Sequence, residues 1–231
     1  MAQRVARRRS EPIRQETSLL RSPIVLGAVA FAAIAAIVLI FIASRPASTP
    51  TVSSYEGLPV NGRELGAADA PVTVEEYSDF QCPYCRQAAE TLLPPLKEQY
   101  IPNGQVRVVF HPVAFLGQES LIAAEAALCA QDQGQFWPYH DKLFASQAGE
   151  NRGTFSSANL KRFARELGLN ESEFNACLDG RRHQNEVLTS TREATSRGVQ
   201  GTPSFFVNNT PIEGLVPFSD LQAVIERYLP E

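Results

Sequence analysis

Histidine and cysteine are scarce in this sequence: His111, His140 and His183 are the only imidazoles, and Cys82, Cys85, Cys129 and Cys177 the only thiols. Zinc needs four ligands, commonly two Cys-x-x-Cys pairs or one such pair with suitably spaced histidines. Only Cys82 and Cys85 have that spacing and no histidine sits near them, so no metal is expected. A net positive charge is also lacking. The formal charge of −4 argues against a general nucleic-acid binder. There is no internal repeat. With 44% hydrophobic and 20% charged residues the chain has globular rather than disordered composition. Its 231 residues suit one ordinary domain with an additional segment.

Charge is placed unevenly. Residues 1–45 hold seven arginines and two glutamates, leaving fourteen basic against twenty-three acidic residues for the remainder. Pro23 to Ala43 is a run of twenty-one uncharged residues, rich in Ile, Ala, Val, Leu and Phe. At ~1.5 Å per residue a helix of this length crosses a hydrocarbon core of ~30 Å. Arg4, Arg7, Arg8, Arg9, Arg14 and Arg21 precede it and only Arg45 follows closely. That bias keeps residues 1–22 cytoplasmic and exports the rest. A cleaved signal peptide is the rival, but its apolar region is usually ~7–15 residues, and Arg45-Pro46 is a poor cleavage junction. The expected organisation is a basic N-terminus (1–22), a transmembrane anchor (23–43), a Ser/Pro-rich linker (44–57) and a folded body (58–231), single-pass in the cell membrane with the body extracytoplasmic.

An exported body meets an oxidising compartment, where paired cysteines are the rule. The four cysteines allow three connectivities. Val72–Ser78 is β-branched and partly alternating, as a strand should be. Cys82-Pro83-Tyr84-Cys85 follows, and from Arg86 the pattern is helical to about Tyr100, interrupted by Pro94 and Pro95. Pro83 suits a first helical turn. Cys82 then lies at a helix N-terminus, where free N–H groups and the macrodipole stabilise an exposed thiolate. Cys85, three residues on, returns to the same side and can resolve a mixed disulfide. A passive structural bond is the alternative for this pair. Glu76, six residues before Cys82 on the strand, becomes a buried carboxylate able to exchange a proton with Cys85 if its face is inward. Glu75 cannot share that face. Gly201-Thr202-Pro203 leads into the apolar strand Ser204–Asn208. The residues alone leave the isomer of Pro203 open.

Phe80-Gln81-Cys82-Pro83-Tyr84-Cys85, together with Gly201-Thr202-Pro203-Ser204-Phe205-Phe206 and the order of elements, resembles the thioredoxin superfamily and, more narrowly, its DsbA-like disulfide oxidoreductases in a membrane-anchored form. The resemblance covers about residues 60–230. It implies an α/β thioredoxin fold with a helical insertion at about 114–198, preceded by the N-terminal transmembrane helix. It also implies that Pro203 is cis against the redox pair and that Thr202 offers its backbone to substrate, with Pro83 and Tyr84 beside them. DsbA itself typically has a histidine where Tyr84 stands, so strong oxidising power is not implied.

Within the insertion, helices are expected at Glu119–Gln131, Gln135–Ser146, Ser156–Leu167, Glu171–Leu178 (capped by Asn170) and Arg181–Arg197, with a hairpin turn at Asn208-Asn209, a short edge strand at Thr210–Glu213 and a final helix from Ser219 to Leu229. Cys129 and Cys177 lie on apolar faces, and a structural disulfide between them is expected, the alternative being two separately buried thiols. The three histidines read as structural or surface residues, and Phe136-Trp137 as insertion core. The expectation is therefore a monomeric protein thiol:disulfide oxidoreductase with no metal or organic cofactor. Cys82 is the nucleophile, Cys85 the resolving thiol, Glu76 a proton-transfer group, and Thr202 and Pro203 the substrate platform. Its substrates are reduced exported proteins. By resemblance, a quinone-linked membrane thiol oxidoreductase reoxidises it. A reductase of the same fold and a non-catalytic peptide-binding holdase are the alternatives.

Overall fold

The structure, a computed structural model, describes residues 55–230. The anchor expected at 23–43 and nearly all of the linker lie outside the described residues. Strands β1 (Val60–Asn61), β2 (Glu64–Leu65), β3 (Val72–Ser78), β4 (Val106–Pro112), β5 (Ser204–Val207) and β6 (Thr210–Glu213) form one sheet in the order β1-β2-β4-β3-β5-β6. The central β3 and β4 run parallel, and every other pairing is antiparallel. Alternation along the strands sets two faces. Val74, Glu76, Val108, Phe110, Phe205 and Val207 enter the large core, whereas Tyr77 packs with Val113, Ala194 and Val199 in a smaller cluster.

Helix α1 (Pro83–Thr91) and helix α2 (Leu93–Gln99) are separated at Leu92, because Pro94 and Pro95 have no N–H to offer Glu90 and Thr91. Between β4 and β5 lie α3 (Gln118–Gln131), α4 (Phe136–Ala145), α5 (Ser157–Glu166), α6 (Glu171–Asp179) and α7 (Gln184–Ser196), and α8 (Phe218–Glu226) closes the fold. This is the expected thioredoxin arrangement with a helical insertion. Asn170 caps α6 by accepting from the Ser172 and Glu173 amides at 3.1 and 3.2 Å. A disulfide joins Cys129 of α3 to Cys177 of α6, with the Cα atoms 5.9 Å apart.

Three local expectations are revised and one hairpin is added. The last helix of the insertion starts at Gln184 rather than Arg181, because Arg181 has φ +52° and its guanidinium grips Glu125 at 2.6 and 2.7 Å. The final helix runs Phe218–Glu226, starting one residue before the expected Ser219 and stopping short of Leu229. The β1–β2 hairpin, turning at Gly62 with φ +59°, was not legible, since two-residue strands carry no periodicity. Tyr55, assigned to the linker, is docked: its ring lies tilted against Trp137 with the centroids 5.7 Å apart and its hydroxyl donates to Asp141 at 2.9 Å, so the folded body includes it.

Candidate active site

The turn from β3 into α1 is tied down at both ends. Buried Asp79 accepts from the Gln81 amide (2.9 Å), the Ser120 hydroxyl (2.6 Å) and the Phe115 and Leu116 amides (2.8 and 3.1 Å). Gln81 donates to Ser120 at 2.9 Å and accepts from the Asn151 amide at 2.6 Å. Gln147 donates to the carbonyls of Phe80 and Cys82 at 2.7 and 3.0 Å. The insertion therefore holds the backbone that carries the nucleophile. Asp79, Gln81 and Gln147 escaped sequence reasoning because their partners lie up to 70 residues away.

Cys82 is the N-cap of α1, and Pro83 fills its first turn. Contrary to the expected exposed thiolate, Cys82 is only 5% exposed and Cys85 fully buried; Tyr84, at 61%, is what the motif shows to solvent. Cys82 is covered because the 198–204 segment closes on it. Its sulfur lies 3.3 Å from the Thr202 carbonyl, and the Thr202–Pro203 peptide is cis. The two thiols differ sharply. A hydrogen bond from the Cys85 S–H, then the Thr202 side chain and the amides of Cys85 and Tyr84, overcome burial and lower the Cys82 pKa from 9.0 to about 6. Burial and the adjacent Cys82 thiolate push Cys85 well above the ordinary range. This asymmetry needs no cation at position 84.

Two adjacent carboxylates show how the sheet assigns roles. Glu75 faces the smaller cluster, where His111 (3.0 Å) and Arg197 (2.7 Å) hold its pKa down to about 2. Glu76 faces the main core and is 6% exposed. Burial raises its pKa, while the charge of His140 and the Ser78 hydroxyl oppose the rise. Ser78, two residues along the same face, opposes the rise at Cys85 as well. Beside Pro83 a cleft of about 510 Å³ is lined by Gln81, Arg86, Gln147, Gly149, Glu150 and Arg152. Among the described residues, one group has metal-ligand proximity: donors of Cys129, Cys177 and His183 lie within 4.8 Å of one another. Its two sulfurs are bonded to each other and so are not available as thiolates.

Residues 60–227 match the protein family described as thioredoxin. The chain belongs to that family. It is 33% identical over 171 residues to the probable disulfide bond formation protein D of Bacillus anthracis, covering 72% of this chain and 78% of that one. Among solved structures, oxidised BdbD from Bacillus subtilis superposes with TM-score 0.68 at 26% identity, covering 72% of this chain and 92% of that one. A thioredoxin-like oxidoreductase from Silicibacter pomeroyi superposes with TM-score 0.60 at 30% identity, over 74% and 91% of the two chains. The chain thus stands among the DsbA-like members of the thioredoxin family and is a thiol:disulfide oxidoreductase.

Proposed function

We propose that this oxidoreductase works outward of the cytoplasmic membrane, held there by residues 23–43, and donates the Cys82–Cys85 disulfide to reduced exported proteins. The client thiolate attacks Cys82 and Cys85 leaves. The client's second thiolate then takes the disulfide and releases Cys82 as a thiolate. Resolution by Cys85 is the step of the reverse, reducing direction. Glu76 exchanges the proton of Cys85. Thr202 and cis Pro203 present backbone to the client, between Pro83 and Tyr84. A quinone-linked membrane thiol oxidoreductase restores the disulfide.

The observation that carries the direction is the seat of Cys82 at the N-cap of α1 beside Thr202 and Cys85, surroundings that lower its pKa to about 6. A stabilised thiolate stabilises the reduced protein and makes its disulfide a better oxidant. Thioredoxin's nucleophile titrates near 7 with a potential of about −270 mV, and DsbA's near 3.5 with about −120 mV. A pKa of about 6 falls between these two, so the pair is a stronger oxidant than thioredoxin and a weaker one than DsbA. Structural disulfides of secreted proteins lie below about −300 mV, so transfer to them from a pair in that range runs downhill. Tyr84 thus weakens the oxidant without reversing it. Titrating the purified protein against glutathione buffers tests this. A value between about −200 and −250 mV supports donation, and one at or below about −300 mV makes the protein a reductase. The anchor rests on the uncharged Pro23–Ala43 run and the arginines before it. Resistance of the protein to carbonate extraction, with the body cleaved by protease added outside the membrane, is the expected result; release by carbonate refutes anchoring.

A further inference from the structure

Oxidation of a client leaves Cys85 needing a proton, and Glu76 can supply one only if it is itself recharged. Glu76 is almost wholly enclosed, and its Oε1 has no hydrogen-bond partner. His140 of α4 is fully buried, boxed by Phe80, Phe110, Phe136, Trp137 and Phe144 at centroid distances between 4.8 and 6.1 Å. Its Nε2 also lacks a partner, while Nδ1 lies 2.9 Å from Asp141 Oδ1. Phe110, edge-on to the imidazole, is directly opposite Glu76 in the β3–β4 register. Opposed residues project to one face, which places carboxyl and imidazole on the same side of the sheet. A phenyl ring would fill this box without burying a polar edge, so packing gives no reason for a histidine here. Asp141 is partly open to solvent and accepts from the Tyr55 hydroxyl at 2.9 and 3.0 Å, with the Lys97 ammonium 3.8 Å over the Tyr55 ring.

We propose that His140 is the relay through which Glu76 exchanges its proton with solvent, by way of Asp141, whenever Cys85 takes up or releases one. The inference rests on Glu76 being the proton-transfer group of Cys85. In client oxidation the client thiolate attacks Cys82 Sγ, the Cys82–Cys85 bond breaks, and Cys85 leaves with the electron pair. Cys85 takes the proton of the Glu76 carboxylic acid. The Glu76 carboxylate takes one from the His140 imidazolium, which is reprotonated from solvent along Asp141. Reoxidation runs the same line backwards. Glu76 Oε1 and His140 Nε2 make no hydrogen bond in the resting structure, so transfer between them requires a carboxyl rotation or an intervening water. The titratable or charged groups around the line are Cys82, Cys85, Tyr55, Lys97 and Asp141. The other buried acids are engaged elsewhere, Asp79 by Ser120 and three amides and Glu125 by Arg181.

The test is single-turnover oxidation of a dithiol peptide by the oxidised protein from pH 5 to 9, in wild type, E76Q, H140F, H140Q, D141N and E76Q/H140F. H140F, H140Q and D141N are expected to slow the reaction by about tenfold near pH 7 and to flatten its pH profile. The titration of the Cys82 thiolate should stay in place, and H140F should add nothing to E76Q. Equal slowing by H140F in the wild-type and E76Q backgrounds overturns the relay, as does wild-type behaviour of H140Q or D141N. If E76Q itself behaves as wild type, the Glu76 reading fails first, an outcome distinct from the others. D141N carries the test alone should the His140 variants not fold.

Discussion

The molecule contains two cysteine pairs that burial does not distinguish. Cys82 and Cys85 are 5% and 0% exposed, Cys129 and Cys177 both 1%. The first pair sits on one helix, at its N-terminal end, with one thiol ionised by its neighbours and the other suppressed. The second joins two helices, closing a separation of 48 residues. Reactivity here follows what donates to the sulfur. Cys82 receives the Cys85 thiol, Thr202 and two amides, whereas Cys129 and Cys177 are bonded to each other across two helices. One bridge is built to be opened and the other to stay shut.

Removing the first pair gives the largest effect. C82S is expected to lower client oxidation by about a thousandfold or more, because the variant has no sulfur to accept the client thiolate. C85S, offered an oxidised client, should instead accumulate mixed disulfides through Cys82 that are visible on non-reducing gels, because no Cys85 thiol remains to resolve them. Client oxidation undiminished in C82S would sink the catalytic reading, and client binding with no redox turnover in wild type would favour a holdase. Removing the second pair should act on stability alone. For its loop length the chain-entropy model assigns the Cys129–Cys177 bridge about 4 kcal/mol. C129S/C177S should melt about 8–16 °C lower with turnover per folded molecule unchanged. Loss of turnover at a temperature where the variant is fully folded would show that the two pairs communicate.

The comparison also marks where sequence reading reached and where it stopped. Cys82, Pro83 and Cys85 were legible because a strand pattern, a helix-starting proline and a fixed spacing are all local. The Cys129–Cys177 bridge was an expectation from two apolar helix faces, and the structure brings those faces together. Alternation put Glu75 and Glu76 on opposite faces but did not say which faced the core; that depends on which side α1 and the insertion cover. Gln147, which holds the Cys82 carbonyl, and His140, whose aromatic box is assembled from β4, α4 and the turn before α1, depend on contacts between distant segments. No spacing announces them.

A subtler break between the pairs is their pH dependence. The bridged pair does not titrate. In the reduced protein Cys82 has its pKa lowered to about 6 from 9.0, so it contributes stability that is fully present above about pH 9 and is lost as pH falls through about 6. A shift of this size corresponds to at most about 4 kcal/mol. The stability of the reduced protein relative to the oxidised one should therefore rise between pH 6 and 9. Above pH 9 it should fall, because the raised pKa of Cys85 penalises its ionisation in the fold. Thermal melts of both redox forms across this range check it, with C82S as the control expected to show no rise between pH 6 and 9. A flat difference in wild type would mean Cys82 is not a stabilised thiolate.

The smallest expected effect concerns Tyr84, the exposed residue of the motif. Only its backbone amide contributes to the Cys82 thiolate. Tyr84→Phe should therefore leave both the thiolate titration and the potential unmoved. Tyr84→His adds an imidazolium in the first turn beside the sulfur, and one pKa unit of further stabilisation corresponds to about 30 mV of added oxidising power. Thiolate absorbance and the glutathione equilibrium read both quantities on the same samples. If Tyr84→Phe moves the potential as far as Tyr84→His does, the phenol hydroxyl is part of the thiolate's support. The contrast between the two cysteine pairs would then rest partly on a side chain that the structure shows pointing to solvent.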